Sequence, residues 1–520
     1  MEQGKGYHSG MWIVAVAIMY LLLPNILFLL GWVTWYIAWP SVLVLLVSFG
    51  KLCRTIPCKA IRLQRSDAWV VALLVLGAVG CTASLGLHGH VPQQWDFTVR
   101  NPIYETLVRC DWPLLNAEGG YFVYYMAYWL PPALISKMSM EWISPTTVLW
   151  WWNFSGVLLL LLLLWLRWRK RVLLIMLLMF TLGSLNDLRR IYGFAKWVWE
   201  QSPALEWIEP YASIFADWTN YFFLGLWNQI ACNTPHSAIP ICMMIALVFS
   251  KRLPWQYIPF TAALTVLWSP LAALVMLPWL VVQMLGKLRS RSAWKDAFNP
   301  YSLGSGLLLL YLVGNYFVCS DTGMVHFIHT DAPFYNDWML DTQTRCLKGV
   351  AIICMMMVPL LVFLGKHYRK TGIPHLCAAL ILFLPIVWVG YENNELLFKG
   401  SATVFMLLVV LYASRVVHAR GWWRVILIAF CLFSAGEFIW DVGFRIVHKY
   451  TWDAQAMKKN IRDDWQGHLN HPQHFCYKNF FGQTPHGHLL YRKSGESVQH
   501  ALRPFATGKT AADANPERLK

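Results

Sequence analysis

Residues 121–138, YFVYYMAYWLPPALISKM, decide how this chain is threaded. They are apolar enough to cross a bilayer, whose hydrocarbon core takes roughly 20 apolar residues. Counted as a crossing, they would carry Arg167, Arg169, Lys170 and Arg171 to the outer side. Lys and Arg in short loops prefer the cytoplasmic side. Pro131-Pro132 and the closing Lys137 also suit a helix lying in the headgroup plane. Read as an interfacial helix, the segment restores the charge rule.

Working outward, the 520 residues are 57% hydrophobic and 13% charged, with mean hydropathy +0.43. A soluble domain would carry about 25% charge. Apolar blocks of roughly 15 to 20 residues recur, the length of a crossing. The expected fold is therefore an all-α polytopic membrane protein of about 13 transmembrane helices. The expected spans are Trp12–Gly31, Val33–Gly50, Trp69–Leu85, Val148–Leu166, Val172–Leu188, His236–Phe249, a hairpin in Ile258–Leu285 broken near Pro270, Leu303–Val318, Val350–Leu364, Leu376–Gly390, Ala402–Val417 and Val425–Trp440. Basic clusters such as Lys51–Arg65, Arg167–Arg171 and Lys287–Lys295 fall on alternate loops, so the N-terminus is expected in the cytoplasm and the C-terminus outside. Residues 1–440 form the transmembrane domain, in which 88–137 is an outer loop with its interfacial helix. Residues 441–520 form a small basic extracytoplasmic tail.

The net charge of +16 is topological, so no nucleic-acid partner is expected. The 12 Cys include no CxxC pair, which leaves no readable zinc or redox motif. Cys319 and Cys346 bracket one outer loop, and a disulfide between them is an alternative in an oxidising compartment.

Four outer segments carry more ionisable and amide groups than turns require. The first is His88–Lys137, with Asp96, Arg100, Glu105, Arg109 and Asp111. The second joins Asn186, Asp187, Arg189 and Arg190 to NQIACNTPH, residues 228–236. The third is HFIHTDAPFYNDWMLD, residues 326–341. The fourth runs from Glu392-Asn393-Asn394-Glu395 to Lys399, Gly400 and Ser401. By the threading above, all four face one side. Ionisable groups at membrane depth are costly and usually line a cavity.

These stretches resemble the GT-C class of integral membrane glycosyltransferases. The likeness rests on WDFTVRN, YETL, DWPLL and YFVYYMAYWLPPAL in the first outer loop, on TPHSA, on LWSPLAALVMLPWL and on ENNELLFKGSA. It is spread loosely from about Trp69 to Val417 and lacks a paired Asp-x-Asp or Glu-x-Asp motif in the first loop. The resemblance implies sugar transfer from a polyprenyl-phosphate-linked donor to a glycan, lipid or protein acceptor, at the outer face of a bacterial inner membrane. Inverting transfer needs a carboxylate base and cations on the departing phosphate. Asp96 is the first candidate base, with Glu105, Glu392 and Glu395 as further catalytic carboxylates. Arg100, Arg190, Lys399 and His236 are the candidates for donor phosphate. Tyr121, Tyr124, Tyr125, Tyr128 and Trp129 would guide the prenyl chain. The cofactor is unassigned; a divalent cation would suit the chemistry, but the missing paired acids define no metal ligands.

Plainer readings stand beside each assignment. Asp96 reads equally as a solvated loop acid, Asp111 as a helix cap, Asn393-Asn394 as a turn and His236 as a structural hydrogen-bonder. The aromatic run reads first as interfacial anchoring. The alternative function is a lipid-linked-sugar flippase or transporter, and a third is a scaffold subunit with a degenerate site.

Overall fold

The computed structural model describes residues 9–57, 64–89, 91, 93, 97–114, 122–140, 142–183, 224–288, 291–318, 325–327, 357–364, 372–384, 387–389, 395–435, 438–439 and 442. The helices are α1 (Ser9–Trp32), α2 (Trp35–Thr55), α3 (Arg65–Ala83), α4 (Phe97–Arg109), α5 (Leu130–Met138), α6 (Pro145–Trp168), α7 (Val172–Thr181), α8 (Pro235–Phe249), α9 (Ile258–Ala263), α10 (Pro270–Leu285), α11 (Arg291–Ala297), α12 (Ser305–Val318), α13 (Ile373–Phe383), α14 (Glu395–His418) and α15 (Trp422–Phe433). Two three-residue strands, β1 (Val325–Phe327) and β2 (Val387–Val389), pair antiparallel with His326 opposite Trp388. Six helical runs among the described residues are long and apolar enough to cross a membrane. The architecture is that of an all-α membrane protein.

One of those six runs, Pro145–Thr181, is two elements and not one. Its lower end reverses at the turn Arg169–Arg171, where Arg169 takes φ 51°. Along α6, Asn153 bonds Thr82 at one end of α3, while Arg169 meets Asp67 at the other. Met176 of α7 then lies against Gly77, ten residues above Asp67 on α3. The chain has therefore turned back, as the RWRKR cluster predicts. The break near Pro270 is also present. Residues 264–268 leave the helix, and the Ser269 hydroxyl caps α10 by accepting from the Ala272 amide at 3.4 Å. The preceding arm is short, since α9 has only 6 residues.

Two expectations change. The aromatic run is not one helix from Tyr121. It is irregular over 122–125, a single 3₁₀ turn over Met126–Tyr128, and α-helical only from Leu130. The physical reason is Pro131-Pro132, which suits the first turn of a helix but not its interior. Nor is the run laid out as an exposed belt: Tyr128 and Trp129 are each 2% exposed. The Tyr316 hydroxyl of α12 accepts from the Tyr124 amide at 3.0 Å and donates to the Phe122 carbonyl at 2.8 Å, pinning the irregular part inside. Likewise α13 stops at Phe383 instead of running to Gly390. Pro385 follows in the sequence, and proline has no backbone N–H with which to continue the helical ladder; Val387–Val389 pairs as β2.

The hub of the bundle is α14, whose most apolar window is wholly buried. It packs against α7, α8, α10 and α13. In lipid, close packing at small residues replaces much of the usual hydrophobic drive. The run Gly400-Ser401-Ala402-Thr403 supplies those small residues. A Cβ on Gly400 would sit 2.7 Å from a Val275 methyl of α10, so only glycine permits this approach. α14 also gives the bundle two distinct ends. Glu395 and Lys399 lie at an aromatic end, and Arg415 and His418 at a basic end. At about 1.5 Å per residue the helix separates them by roughly 35 Å.

Candidate functional site

The aromatic end gathers residues as far apart in the chain as Arg100 and Lys399. α4 supplies Arg100, and the segment between it and α5 supplies Tyr124, Tyr125, Tyr128 and Trp129. The first turn of α8 supplies His236, and that of α14 supplies Glu395 and Lys399. α4 is held in place from both flanks. The Tyr104 hydroxyl donates to the Pro145 carbonyl at 2.7 Å and lies 3.2 Å from Ser136, and Lys137 reaches the Cys110 carbonyl. Burial pushes the Tyr104 phenol up, opposed by its Ser136 bond and reinforced by nearby Glu105, so it stays a neutral donor.

His236 is the centre. Tyr125 stacks on it with centroids 5.0 Å apart at 12°, and Trp129 stacks at 5.3 Å and 29°. Tyr128 meets it edge-on at 6.4 Å. The imidazole is fully buried, yet among the described residues neither Nδ1 nor Nε2 has a hydrogen-bond partner. The hydroxyls of Thr234 and Ser237, also fully buried, likewise find no partner among the described residues. Leaving a buried polar atom unsatisfied costs about 1–3 kcal/mol. Four such atoms lie at one helix N-terminus, where backbone N–H groups and the helix dipole favour anions, which makes this turn the candidate place for a polar or anionic ligand.

Two buried cations flank it. Lys399 Nζ lies 2.5 Å from Glu395 Oε2 and donates to the Tyr125 hydroxyl at 2.6 Å. Arg100 donates to the Asn233 carbonyl. That carbonyl is presented by a π-helical turn, Asn228–Asn233, a local geometry frequent at functional sites. The Gln229 amide fixes the turn to α14 by donating to Ser401 Oγ at 2.8 Å. Both cations act on the same phenol. Burial holds Tyr124 well above the ordinary tyrosine range, Tyr125 adds to this, and Arg100 and Lys399 pull the other way. Tyr128 is pushed up chiefly by burial, with Tyr104 reinforcing and Arg100 opposing. The phenols are therefore neutral donors. Tyr124 donates to Tyr125 at 2.8 Å and Tyr128 to Asn153 Oδ1 at 2.9 Å.

No family model, curated protein or solved structure matches this chain. The geometry alone therefore carries the functional reading. It brings together Arg100, His236, Lys399, Glu395, Tyr124, Tyr125, Tyr128 and Trp129. Glu105 is engaged elsewhere, paired with Arg109 at 3.3 Å in a half-exposed contact. Asp96, Glu392, Arg190 and Tyr121 lie outside the described residues, as do Cys319, Cys346 and the tail from 443 onward. Among the described residues, no group of three or more His, Cys, Asp or Glu is gathered closely enough to hold a metal ion.

Sequence reasoning did not assign Thr234, Ser237, Gln229 or the Tyr128–Asn153–Thr82 chain to the site. Thr234 and Ser237 sit inside the TPHSA stretch, so their spacing around His236 was a usable signal. Asn153 is a polar residue inside an apolar span, a signal the sequence does carry, whereas its partner Thr82 has none. Asn315, the comparable residue in α12, bonds the Tyr311 carbonyl of its own helix at 2.7 Å.

Proposed function

We propose that the chain is a membrane glycosyltransferase that moves a sugar from a polyprenyl-phosphate-linked donor, with its site at the aromatic end of the bundle. The observation that carries this reading is His236, which is buried between aromatic faces with both ring nitrogens open and buried cations on either side. Arg100 and Lys399 would take the donor phosphate, the Arg through its forked donors and the Lys as a point charge. His236, Thr234 and Ser237 would hydrogen-bond the remaining oxygens. Tyr125, Tyr128 and Trp129 give flat apolar walls to a sugar ring or the first prenyl unit. The base is Asp96, four residues before Arg100, or Glu392, three residues before Glu395. Glu395 itself is committed to Lys399 and serves to hold it. The aromatic end would face the cell exterior, since the opposite end carries the Lys and Arg that mark a cytoplasmic side.

A flippase has less support. Among the described residues the buried charged side chains are Asp67, Arg100 and Lys399, all at the ends of the bundle and none along a path between its faces.

The test uses membranes containing the full chain and labelled undecaprenyl-phosphate glucose, scored for sugar transfer to membrane components. Asp96→Asn is expected to lower transfer by about 10²- to 10⁴-fold, the usual worth of a general base, while protein levels hold. Wild-type transfer in that variant removes Asp96 as the base. Absence of transfer by the wild type from any polyprenyl-phosphate sugar, together with labelled lipid crossing sealed vesicles, would favour the flippase instead.

A further inference from the structure

The basic end holds a feature that sugar transfer does not use. A cavity of about 440 Å³ lies between the last turn of α6 and the last turn of α14, walled by Arg167, Trp168, Arg171, Ser414 and His418. A second, of about 420 Å³, shares Trp168 and Arg171 and adds Gln64, Asp67, Arg169 and Lys170. Asp67 is the one acid in these walls, and it is already spent, accepting from Arg169 and from the Gln64 amide at 2.8 Å. Arg167, Lys170 and Arg171 meet no carboxylate among the described residues. Nearby, Arg415 Nε is buried with no partner among the described residues. Arg252 is pushed below the usual arginine range chiefly by burial and further by the like charge of Arg169. His418 bonds the Ser414 carbonyl at 2.7 Å through Nδ1, which orients its ring at the cavity wall.

Topology alone explains basic residues at a span end. It does not explain a walled hollow between two spans with two arginines on one wall, a serine and a histidine on the other and, among the described residues, no free acid. We propose that this cavity binds a phosphate monoester, presented by an anionic phospholipid headgroup such as that of phosphatidic acid. The location supports a lipid source, because α6 and α14 both end here and headgroup phosphates lie where spans end. Basic pockets between spans recognise headgroups through the same charge chemistry. Arg167 and Arg171 supply forked donors matched to phosphate oxygens, Ser414 and His418 line the opposite wall, and Trp168 gives the glycerol region an apolar face.

The test is thermal unfolding of the purified full chain in detergent, titrated separately with short-chain phosphatidic acid, phosphatidylcholine and inorganic phosphate. Phosphatidic acid is expected to raise Tm by several degrees, as any ligand that binds only the folded state does, and phosphatidylcholine to leave it unchanged. The double variant Arg167→Lys/Arg171→Lys keeps the topological charge but loses the forks, and is expected to bind roughly fivefold more weakly or worse. Arg167→Gln/Arg171→Gln should lose the response entirely; if it fails to insert, the Lys variant still decides. Lys287→Gln, at the same end but outside the cavity, should respond as wild type. Protection by inorganic phosphate at matching concentration would keep the site and assign the free anion as occupant. Equal responses to phosphatidic acid and phosphatidylcholine, or Lys and Gln variants that bind phosphatidic acid like wild type, would overturn the proposal.

Discussion

The two ends of α14 are both cationic, yet they manage charge in opposite ways. At the aromatic end Lys399 is 2% exposed, fixed between Glu395 and Tyr125, and set beside polar atoms that have no partner among the described residues. At the basic end Arg167, Lys170 and Arg171 stand around open cavities whose one acid among the described residues, Asp67, is taken up by Arg169 and the Gln64 amide. A buried, oriented cation is insulated from salt and acts on one group at short range, while open cations act through a screened field. The first arrangement suits chemistry on a bound molecule. The second suits holding an anion at a surface and fixing the protein's orientation.

The sharpest way to break this contrast is Lys399→Met, which leaves Glu395 and the Tyr125 hydroxyl facing an apolar stem. Transfer from undecaprenyl-phosphate glucose is expected to fall about 10²- to 10³-fold, as when one preorganised donor is lost, with the phosphatidic acid response intact. Loss of both together would mean that α14 works as one unit and the ends are not separate. Next is packing. Gly400→Val drives a side chain into Val275 and should lower stability by about 1–3 kcal/mol, read as a lower Tm with activity lost at lower temperature. An unchanged Tm would show that α10 and α14 are not held by close contact there. Asn153→Leu removes the bridge from Tyr128 to Thr82 and should cost roughly 0.6–2 kcal/mol, the range for interhelical hydrogen bonds in membranes. Raising salt from about 0.05 to 0.5 M should weaken phosphatidic acid binding while barely moving the activity per molecule, because only the open end is screened. The smallest effect is expected from Glu105→Gln. A half-exposed pair with Arg109 is worth about 0–1 kcal/mol, so Tm and transfer should stay near wild type; a large loss of transfer would return Glu105 to the catalytic set.

The sequence was informative where charge and length act directly. The hairpin at Arg169–Arg171 and the break at Ser269-Pro270 were readable because clustered cations and proline determine turns without tertiary help. So was the convergence of Arg100, His236 and Lys399, inferred from polar residues placed at the same end of several spans. What could not be read depends on contacts between distant segments. Tyr124 and Tyr128 turn inward because Tyr316 and Asn153 hold them, and neither partner is near them in the chain. The π-turn at Asn228–Asn233 is another such case, since Gln229 needs Ser401, 172 residues later, to hold its place. Helical periodicity carries no trace of a partner that far away.

That last bond has a consequence for how the protein is made. Arg100 is anchored on Asn233, the turn bearing Asn233 is fastened through Gln229 to α14, and α14 also brings Lys399. At about 5–20 residues per second, a ribosome that has finished residue 236 needs on the order of ten seconds or more to deliver residue 399. Throughout that interval the newly inserted His236 has neither Lys399 beside it nor a fastened turn beneath Arg100. The candidate site is therefore incomplete during synthesis and is assembled only when α14 docks.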